Sequence, residues 1–330
     1  MKRIGVFGCK STTLFLLESL QRVAEIDCVI TISPDKGKAH QVADYSDIAP
    51  FCHNQGITCY SANRYDLKDE QDVDTFKTLQ LDIAFVIGWQ RLIPTEVLQT
   101  FSIGVFGMHG STDDLPVGRG RSPMNWALIE QRKHFFTNIF RYDPGIDSGD
   151  ILDTFVFSIQ PDDTGETMHY KNVLAMKTLI LRNIDQLSNG NMSLKKQKNS
   201  APTYYPKRSP NDGLIDWNRD IFQLDAFIRA VTSPFDGAFS FINGEKVVIW
   251  RASIFETDLV EFGYRDEPFG TVVEVYPSRK FLVRCRGGLL IAHDYGGEVN
   301  IERGSLLHSP QEDLKRFKLN RYGYHDLEEA

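Results

Sequence analysis

The sequence predicts an α/β fold: a parallel sheet with helices on both faces, followed by a small β-barrel domain. Three observations carry that reading. Short apolar strands alternate with helical patterns through the first half of the chain, the βαβ signature of a parallel sheet. Residues 188–212, rich in Ser, Asn, Lys and Pro, then break the pattern and read as a linker. Beyond them one helical segment leads a run of short strands. The expected division is a catalytic domain over 1–187, a linker over 188–212 and a barrel over 213–330.

Each element has its own warrant. RIGVFG (3–8) is a short buried strand. Ser11 or Thr12 caps the helix that follows, with Leu14, Leu17 and Leu20 on one face. CVITIS (28–33) is the second strand. A helix around 46–54 precedes the strand ITCY, and another near 69–79 precedes DIAFVIG (82–88). A short helix from Pro94 leads to IGVFGMH, a strand expected to end at His109. MNWALIEQ is helical, and FFTNIFRY and DTFVFSI are strands on either side of the turn DPGIDSGDIL. A long amphipathic helix, opened by Thr164 with Glu166 in its first turn, closes the domain near residue 187. After the linker come the helix IFQLDAFIRAV and the strands GAFSFI, KVVIWRASI, GTVVEVY, KFLVRC and GGLLIAHDY. Asn243-Gly244 between the first two of these is a hairpin signal.

Composition narrows the function. The net charge of −7 argues mildly against a nucleic-acid partner, because polyanion binders normally carry a basic excess, and it leaves a local basic patch open. The five cysteines (Cys9, Cys28, Cys52, Cys59 and Cys285) have no zinc spacing, and no metal site is assigned. They read as free thiols of a reducing compartment. MKRIGVFGC holds too short an apolar run for a secretory signal, and no segment approaches a membrane span of about 20 apolar residues. A cytoplasmic protein with no membrane partner is expected.

In a parallel sheet, ligands bind beyond the carboxyl ends of the strands. His109 and the loop GWQRLIP (88–94) fall there. Alone, His109 reads as a histidine satisfied at a strand end, and Asp147 as an Asx turn. Together, on loops above one sheet edge, they make a pair suited to proton transfer. Arg119 and Arg121, in the glycine-spaced loop VGRGRSP, suit an anionic group as well as they suit solvent. Lys10 sits in GCKST, which opens a helix whose N-terminus favours anions. Tyr205, Lys207 and Arg208 in YYPKRSP combine ring and cation, a set that can stack a base and pair with phosphate.

These segments, in this order, resemble the folate-dependent formyltransferases, the family that includes methionyl-tRNA formyltransferase and the sugar N-formyltransferases. MHGSTDDLPVGRGRSPMNWALI is similar to the family's strand–His–loop–helix segment, DPGIDSGDIL to its Asp segment, GWQRLIP to its pterin-side loop, and GAFSFINGEKVVIWRA through GTVVEV to its C-terminal domain. The resemblance implies a Rossmann-like catalytic domain that moves a formyl group from N10-formyltetrahydrofolate to an amine, with His109 and Asp147 catalytic. It also exposes a departure. The family pattern is Asn-x-His, and Gly107 stands at the Asn position. That Asn would donate a hydrogen bond to the tetrahedral oxyanion. Asn125, Asn138, Arg121 or a His109 imidazolium are the candidates to replace it.

By the same resemblance the folate meets Trp89, Gln90, Arg91, Leu92 and Ile93 on one side and Asp143 and Gly145 on the other, although packing under the loop explains Leu92 and Ile93 equally. The expected acceptor is a nucleotide-linked amino sugar destined for bacterial surface glycan, with its phosphates on Lys10, Arg119, Arg121, Lys207 and Arg208 and its base on Tyr205. The acidic residues after 214, including the tail HDLEEA, and a loop unlike the LLPRWRG type of the tRNA enzyme turn the reading away from methionyl-tRNA. Methionyl-tRNA remains the alternative acceptor. Given Gly107, a formyltetrahydrofolate hydrolase and a non-catalytic binder stay open, and the barrel is the candidate surface for a homodimer.

Overall fold

The computed structural model of the chain describes residues 2–259 and 263–314, so the tail HDLEEA lies outside the described residues. In chain order the elements begin with β1 (Ile4–Phe7), α1 (Ser11–Leu20), β2 (Cys28–Thr31), α2 (Pro34–Ala39), α3 (Ala49–Gln55) and β3 (Thr58–Ser61). They continue with α4 (Glu70–Leu79), β4 (Ile83–Val86), α5 (Thr95–Leu98), β5 (Gly104–Ser111), β6 (Arg119–Gly120) and α6 (Pro123–Ile129). Then come β7 (His134–Arg141), β8 (Ile151–Ser158), α7 (Gly165–Asn189), β9 (Tyr204–Tyr205), a 3-10 turn at Pro210–Gly213, and α8 (Ile221–Val231). The last strands are β10 (Ala238–Ile242), β11 (Glu245–Glu256), β12 (Val272–Tyr276), β13 (Lys280–Cys285) and β14 (Gly288–Gly296).

A seven-stranded sheet runs in the order β3-β2-β1-β4-β5-β7-β8. The pairs from β3 to β5 are parallel, and β7 lies antiparallel to β5. β1, β2 and β4 are buried along their whole length, as strands covered on both faces must be. Residues alternate between two apolar cores. Val6, Phe85 and Phe106 pack on one side with Leu17 of α1 and Leu179 of α7. Phe7, Val86 and Val105 pack on the other with Phe76 of α4. Each buried side chain of this size contributes about 1.5–3 kcal/mol. The strand order reverses between β1 and β4, so their carboxyl ends open a crevice.

Two local differences follow from tertiary pairing. β5 does not stop at His109; it runs to Ser111, because β7 continues the ladder with His109 opposite Asn138 and Ser111 opposite Phe136. The cap of α1 is Lys10, not Ser11 or Thr12. The Lys10 N–H donates to Thr13 Oγ1 at 3.1 Å, and the Thr13 hydroxyl donates to the Ile87 carbonyl at 2.7 Å.

A second, five-stranded antiparallel sheet runs in the order β10-β11-β14-β13-β12. Asn243 and Gly244 join β10 to β11 with φ of 52° and 86°, the doubly left-handed backbone that an Asn-Gly hairpin supplies. One later segment touches both edges: His308 bridges Phe241 of β10, and Leu306 bridges Thr271 beside β12. That segment closes the sheet into the expected barrel. α8 is capped by Asp220, whose carboxylate accepts the N–H groups of Phe222 and Gln223.

The chain forms two compact units, and they do not follow a single cut. One comprises Met1–Arg119, Phe136–Phe157 and Asn172–Pro202; the other comprises Gly120–Phe135, Ser158–Lys171 and the chain from Thr203 onward. Much of the stretch read as linker belongs to the first unit: Lys195 pairs with Ile151 at the edge of β8. No helix among the described residues is long and apolar enough to cross a membrane.

Candidate active site

The site is assembled at the carboxyl ends of β1, β4 and β5. Phe7 pairs with Val86, and Val86 with Gly107, so the ends of the three strands are level. Alternation along β5 puts Val105, Gly107, His109 and Ser111 on one face. His109 is buried. Its Nε2 lies 2.9 Å from the Gly118 carbonyl oxygen, and its Nδ1 lies 3.4 Å from Oδ2 of Asp147. Both ring nitrogens therefore face oxygens that only accept. A neutral imidazole can donate to one of them, and the imidazolium to both.

Asp147 sits in a tight turn with φ of 49°. The Asp143 carboxylate shapes that turn by accepting the Gly145 N–H at 3.0 Å and the Ser148 hydroxyl at 2.5 Å. Asp143 and Gly145 are exposed. Gly149 lies against the Arg141 carbonyl, where a Cβ would come within 1.7 Å. A residue outside the sequence-derived set holds the turn from the far side. The Gln197 amide donates to the carbonyls of Asp147 at 2.7 Å and Gly149 at 2.9 Å. Its Oε1 accepts from Arg119 Nη2 at 2.6 Å and Nε at 3.3 Å. Arg119 thus braces the Asp147 turn through Gln197, where the sequence suggested an anion binder. Nothing in a polar Lys/Gln/Asn stretch marks Gln197 in advance.

Two of the spare amides are already committed. Asn138 is fully buried, with Nδ2 donating to Ser111 Oγ at 3.1 Å and the His109 carbonyl at 3.3 Å while Oδ1 accepts from Thr154. It anchors the backbone of His109. Asn125 is buried in the second unit and donates to the Ala230 carbonyl at 2.7 Å. Arg121 belongs to the second unit and is exposed. Gly107 leaves no space for a side chain, because a Cβ there would meet the Tyr142 ring at 1.9 Å. Tyr142, just past β7, was not among the residues read from the sequence.

The loop after β4 divides into a packed part and an open part. Trp89 and Ile93 are buried, with the indole edge-on to Tyr65 at 4.8 Å and to Phe7 at 5.9 Å. Among the described residues Trp89 Nε1 is buried without a hydrogen-bond partner, a donor at a strand end that a polar ligand would satisfy. Gln90, Arg91 and Leu92 are exposed, Leu92 at 60%. The Gln90 N–H donates to the Tyr65 hydroxyl at 3.0 Å, and the Arg91 guanidinium lies 5.0 Å from the Tyr65 ring centre. Lys10 borders the loop, since a Cβ on Gly88 would sit 3.0 Å from the Lys10 Cβ. Burial pulls the Lys10 ammonium below the usual lysine range, and nearby Asp44 opposes this.

The YYPKRSP residues pack within the second unit. The Tyr205 ring is stacked on Trp126 at 5.7 Å and its hydroxyl donates to Glu130, so it is buried and closed to a base. The Arg208 guanidinium lies over Trp126 and Phe227 and donates to the Asp212 carbonyl; burial draws it down to about 10. Lys207 is exposed. The aromatic–cation cluster is here a packing device.

Comparison with known proteins places this geometry. Residues 6–183 match the family model described as formyl transferase, and residues 207–295 match the formyl transferase C-terminal domain. Among solved structures, an N-formyltransferase from Helicobacter canadensis in complex with folinic acid and dTDP-3-aminofucose aligns with a TM-score of 0.64 at 18% identity, over 88% of this chain and 99% of that one. WlaRD, a sugar 3N-formyltransferase determined with dTDP and 5-N-formyl-THF, aligns at 0.62 and 19% identity, over 91% and 99%. A methionyl-tRNA formyltransferase from Clostridium thermocellum aligns at 0.53 and 20% identity, over 77% and 94%. At these identities the likeness is one of fold.

Proposed function

The chain belongs to the formyl transferase family, and from that premise we propose that it moves a formyl group from N10-formyltetrahydrofolate to the amine of a nucleotide-linked amino sugar. The observation that carries the reading is the buried His109–Asp147 pair at the sheet's carboxyl edge, beside an open loop with an orphaned indole donor. The folate fits that edge. Gln90, Arg91 and Leu92 offer exposed contact, and Trp89 Nε1 has no partner among the described residues, a place that a pterin or formyl oxygen would fill.

The chemistry has three requirements. The amine lone pair adds to the formyl carbon, and the carbonyl electron pair moves onto the formyl oxygen. That oxyanion then collapses, and the bond from carbon to folate N10 breaks. A proton leaves the amine and one arrives at N10. The His109–Asp147 pair holds that proton between the two events. Asp147 fixes the ring from the Nδ1 side and Gly118 from the Nε2 side.

Two observations support a small sugar acceptor over methionyl-tRNA. The net charge is −7, unfavourable for a polyanion. The two sugar N-formyltransferases also align over more of this chain, and at higher TM-score, than the tRNA enzyme does. Those relatives were solved with dTDP or a dTDP-sugar, which makes a nucleoside diphosphate carrier the first choice; Lys10, beside the loop after β4, is its candidate phosphate contact.

The test is turnover. The protein is mixed with N10-formyltetrahydrofolate and a panel of nucleotide-linked amino sugars, with initiator methionyl-tRNA as one member. Free tetrahydrofolate and a formylated sugar, identified by mass, are the expected products. Formylated tRNA alone would overturn the sugar assignment. Tetrahydrofolate release without any formylated acceptor would identify a hydrolase.

A further inference from the structure

Formyl transfer places negative charge on the formyl oxygen, and an enzyme gains most by aiming a fixed donor at that charge. Gly107 brings no side chain, and the amides of Asn138 and Asn125 are spent on their own surroundings. The face of β5 that carries His109 nevertheless contains a hydroxyl. Tyr142 follows β7 and ties back to β5 through its N–H, which donates to the Val105 carbonyl at 2.7 Å. Its ring stacks on Phe140 at 5.3 Å. Phe140 is the residue paired with Gly107, so the phenol slants across the space that a side chain at position 107 would fill.

The fit is quantitative. A Cβ built on Gly107 would lie 1.9 Å from Cε1 of Tyr142, 2.3 Å from Cζ and 2.4 Å from the hydroxyl oxygen. An asparagine carries its amide nitrogen about 2.4 Å from its own Cβ, from standard bond lengths. The phenol oxygen thus stands as far from that point as an amide donor grown from residue 107 would. Two residues on, His109 lies about 6.6 Å along the same strand face. The imidazole and the phenol therefore stand on one strand face, two residues apart. The hydroxyl makes no hydrogen bond among the described residues.

We infer that Tyr142 is a catalytic residue whose hydroxyl donates to the formyl oxygen as charge develops there, and that Gly107 exists to make room for it. The inference rests on the formyl transfer assigned above. Burial, with the Asp147 carboxylate adding to it, pushes the phenol above the usual tyrosine range. The group is therefore protonated, and able to donate, at any pH where the protein works.

Tyr142→Phe removes the donor and keeps the ring on Phe140, so folding is preserved and is checked by thermal unfolding. Two readouts are taken. The first is kcat and KM for transfer from N10-formyltetrahydrofolate to the acceptor the wild-type protein uses. The second is the infrared stretch of a carbon-13-labelled formyl group in bound N10-formylfolate, a stable oxidised counterpart of the donor. A fall in kcat of about 10²–10³-fold with little change in KM is expected, together with a carbonyl band at higher frequency than in the wild type. If either readout stays where it is in the wild type, Tyr142 is not the donor, and the proposed function stands without it. A wild-type protein that neither binds N10-formylfolate nor releases tetrahydrofolate overturns both.

Discussion

The glycine at position 107 is intelligible only with the ring that lies over it. As a sequence feature it looks like a missing group; in the fold it is a vacancy shaped for Tyr142. Restoring a side chain there is therefore predicted to harm. Gly107→Asn forces the ring from its place on Phe140 and is expected to cost about 1–3 kcal/mol of stability, the usual price of overpacking, and to lower turnover; thermal unfolding and kcat measure the two. Asp147 makes the opposite case, because the family resemblance singles it out although its residue type alone reads as a turn. Asp147→Asn keeps the volume but removes the charge beside His109 Nδ1. Its kcat is expected to fall about 10²–10⁴-fold, the range of acid–base assistance. Full turnover in that variant would remove the pair from the mechanism.

At the scale of the elements, strands and helices form where apolar period and capping chemistry coincide, and extra pairing then extends or braces them. β5 gains two residues past His109 because β7 offers a partner. The stretch near residue 195 gains structure because β8 has a free edge. Ahead of α7 stands another such brace, at Asp163. Its carboxylate is buried, accepts the Gln160 N–H at 2.7 Å and the Thr167 hydroxyl at 2.8 Å, and pairs with the Lys171 ammonium. Burial alone would raise this carboxyl, but those partners outweigh it and hold it below the usual range. A depressed carboxyl stabilises the fold above its unfolded value of about 3.9 and loses that contribution as pH falls through the lower folded value. Asp163→Asn is thus expected to lose about 1–2 kcal/mol at neutral pH, with the gap to wild type closing below about pH 4. Urea unfolding across that range checks it; a gap independent of pH would contradict the ion pair.

At the scale of the whole molecule, two sheets meet two different problems. The parallel sheet is protected by helices on both faces, whereas the antiparallel sheet must manage its own edges. Residues 306–308 do that by bridging β10 and the approach to β12. Leu307, 1% exposed, is the apolar pin of this closure, and its N–H donates to the Gly270 carbonyl at 2.9 Å. Leu307→Ala is expected to lower stability by about 2–5 kcal/mol, read by denaturant unfolding. A loss under about 0.5 kcal/mol would show that the edges hold without it.

The sequence by itself determined the parallel α/β domain, the barrel with its Asn-Gly hairpin, the family and the prominence of His109 and Asp147. These are local signals: period, caps, turn residues, and short segments whose order survives in the chain. Tertiary structure decided the rest. Which amides are free is a question of what lies across the next strand, so Asn138 and Asn125 looked available until their partners were in place. Arg119 reads as an anion binder until Gln197, 78 residues away, takes its guanidinium. Tyr142 lies 35 residues from Gly107, and no spacing rule joins them. Only the antiparallel register of β5 and β7 brings a phenol over a glycine, because a hydrogen bond or a clash depends on distance in space, which the chain encodes only after it has folded.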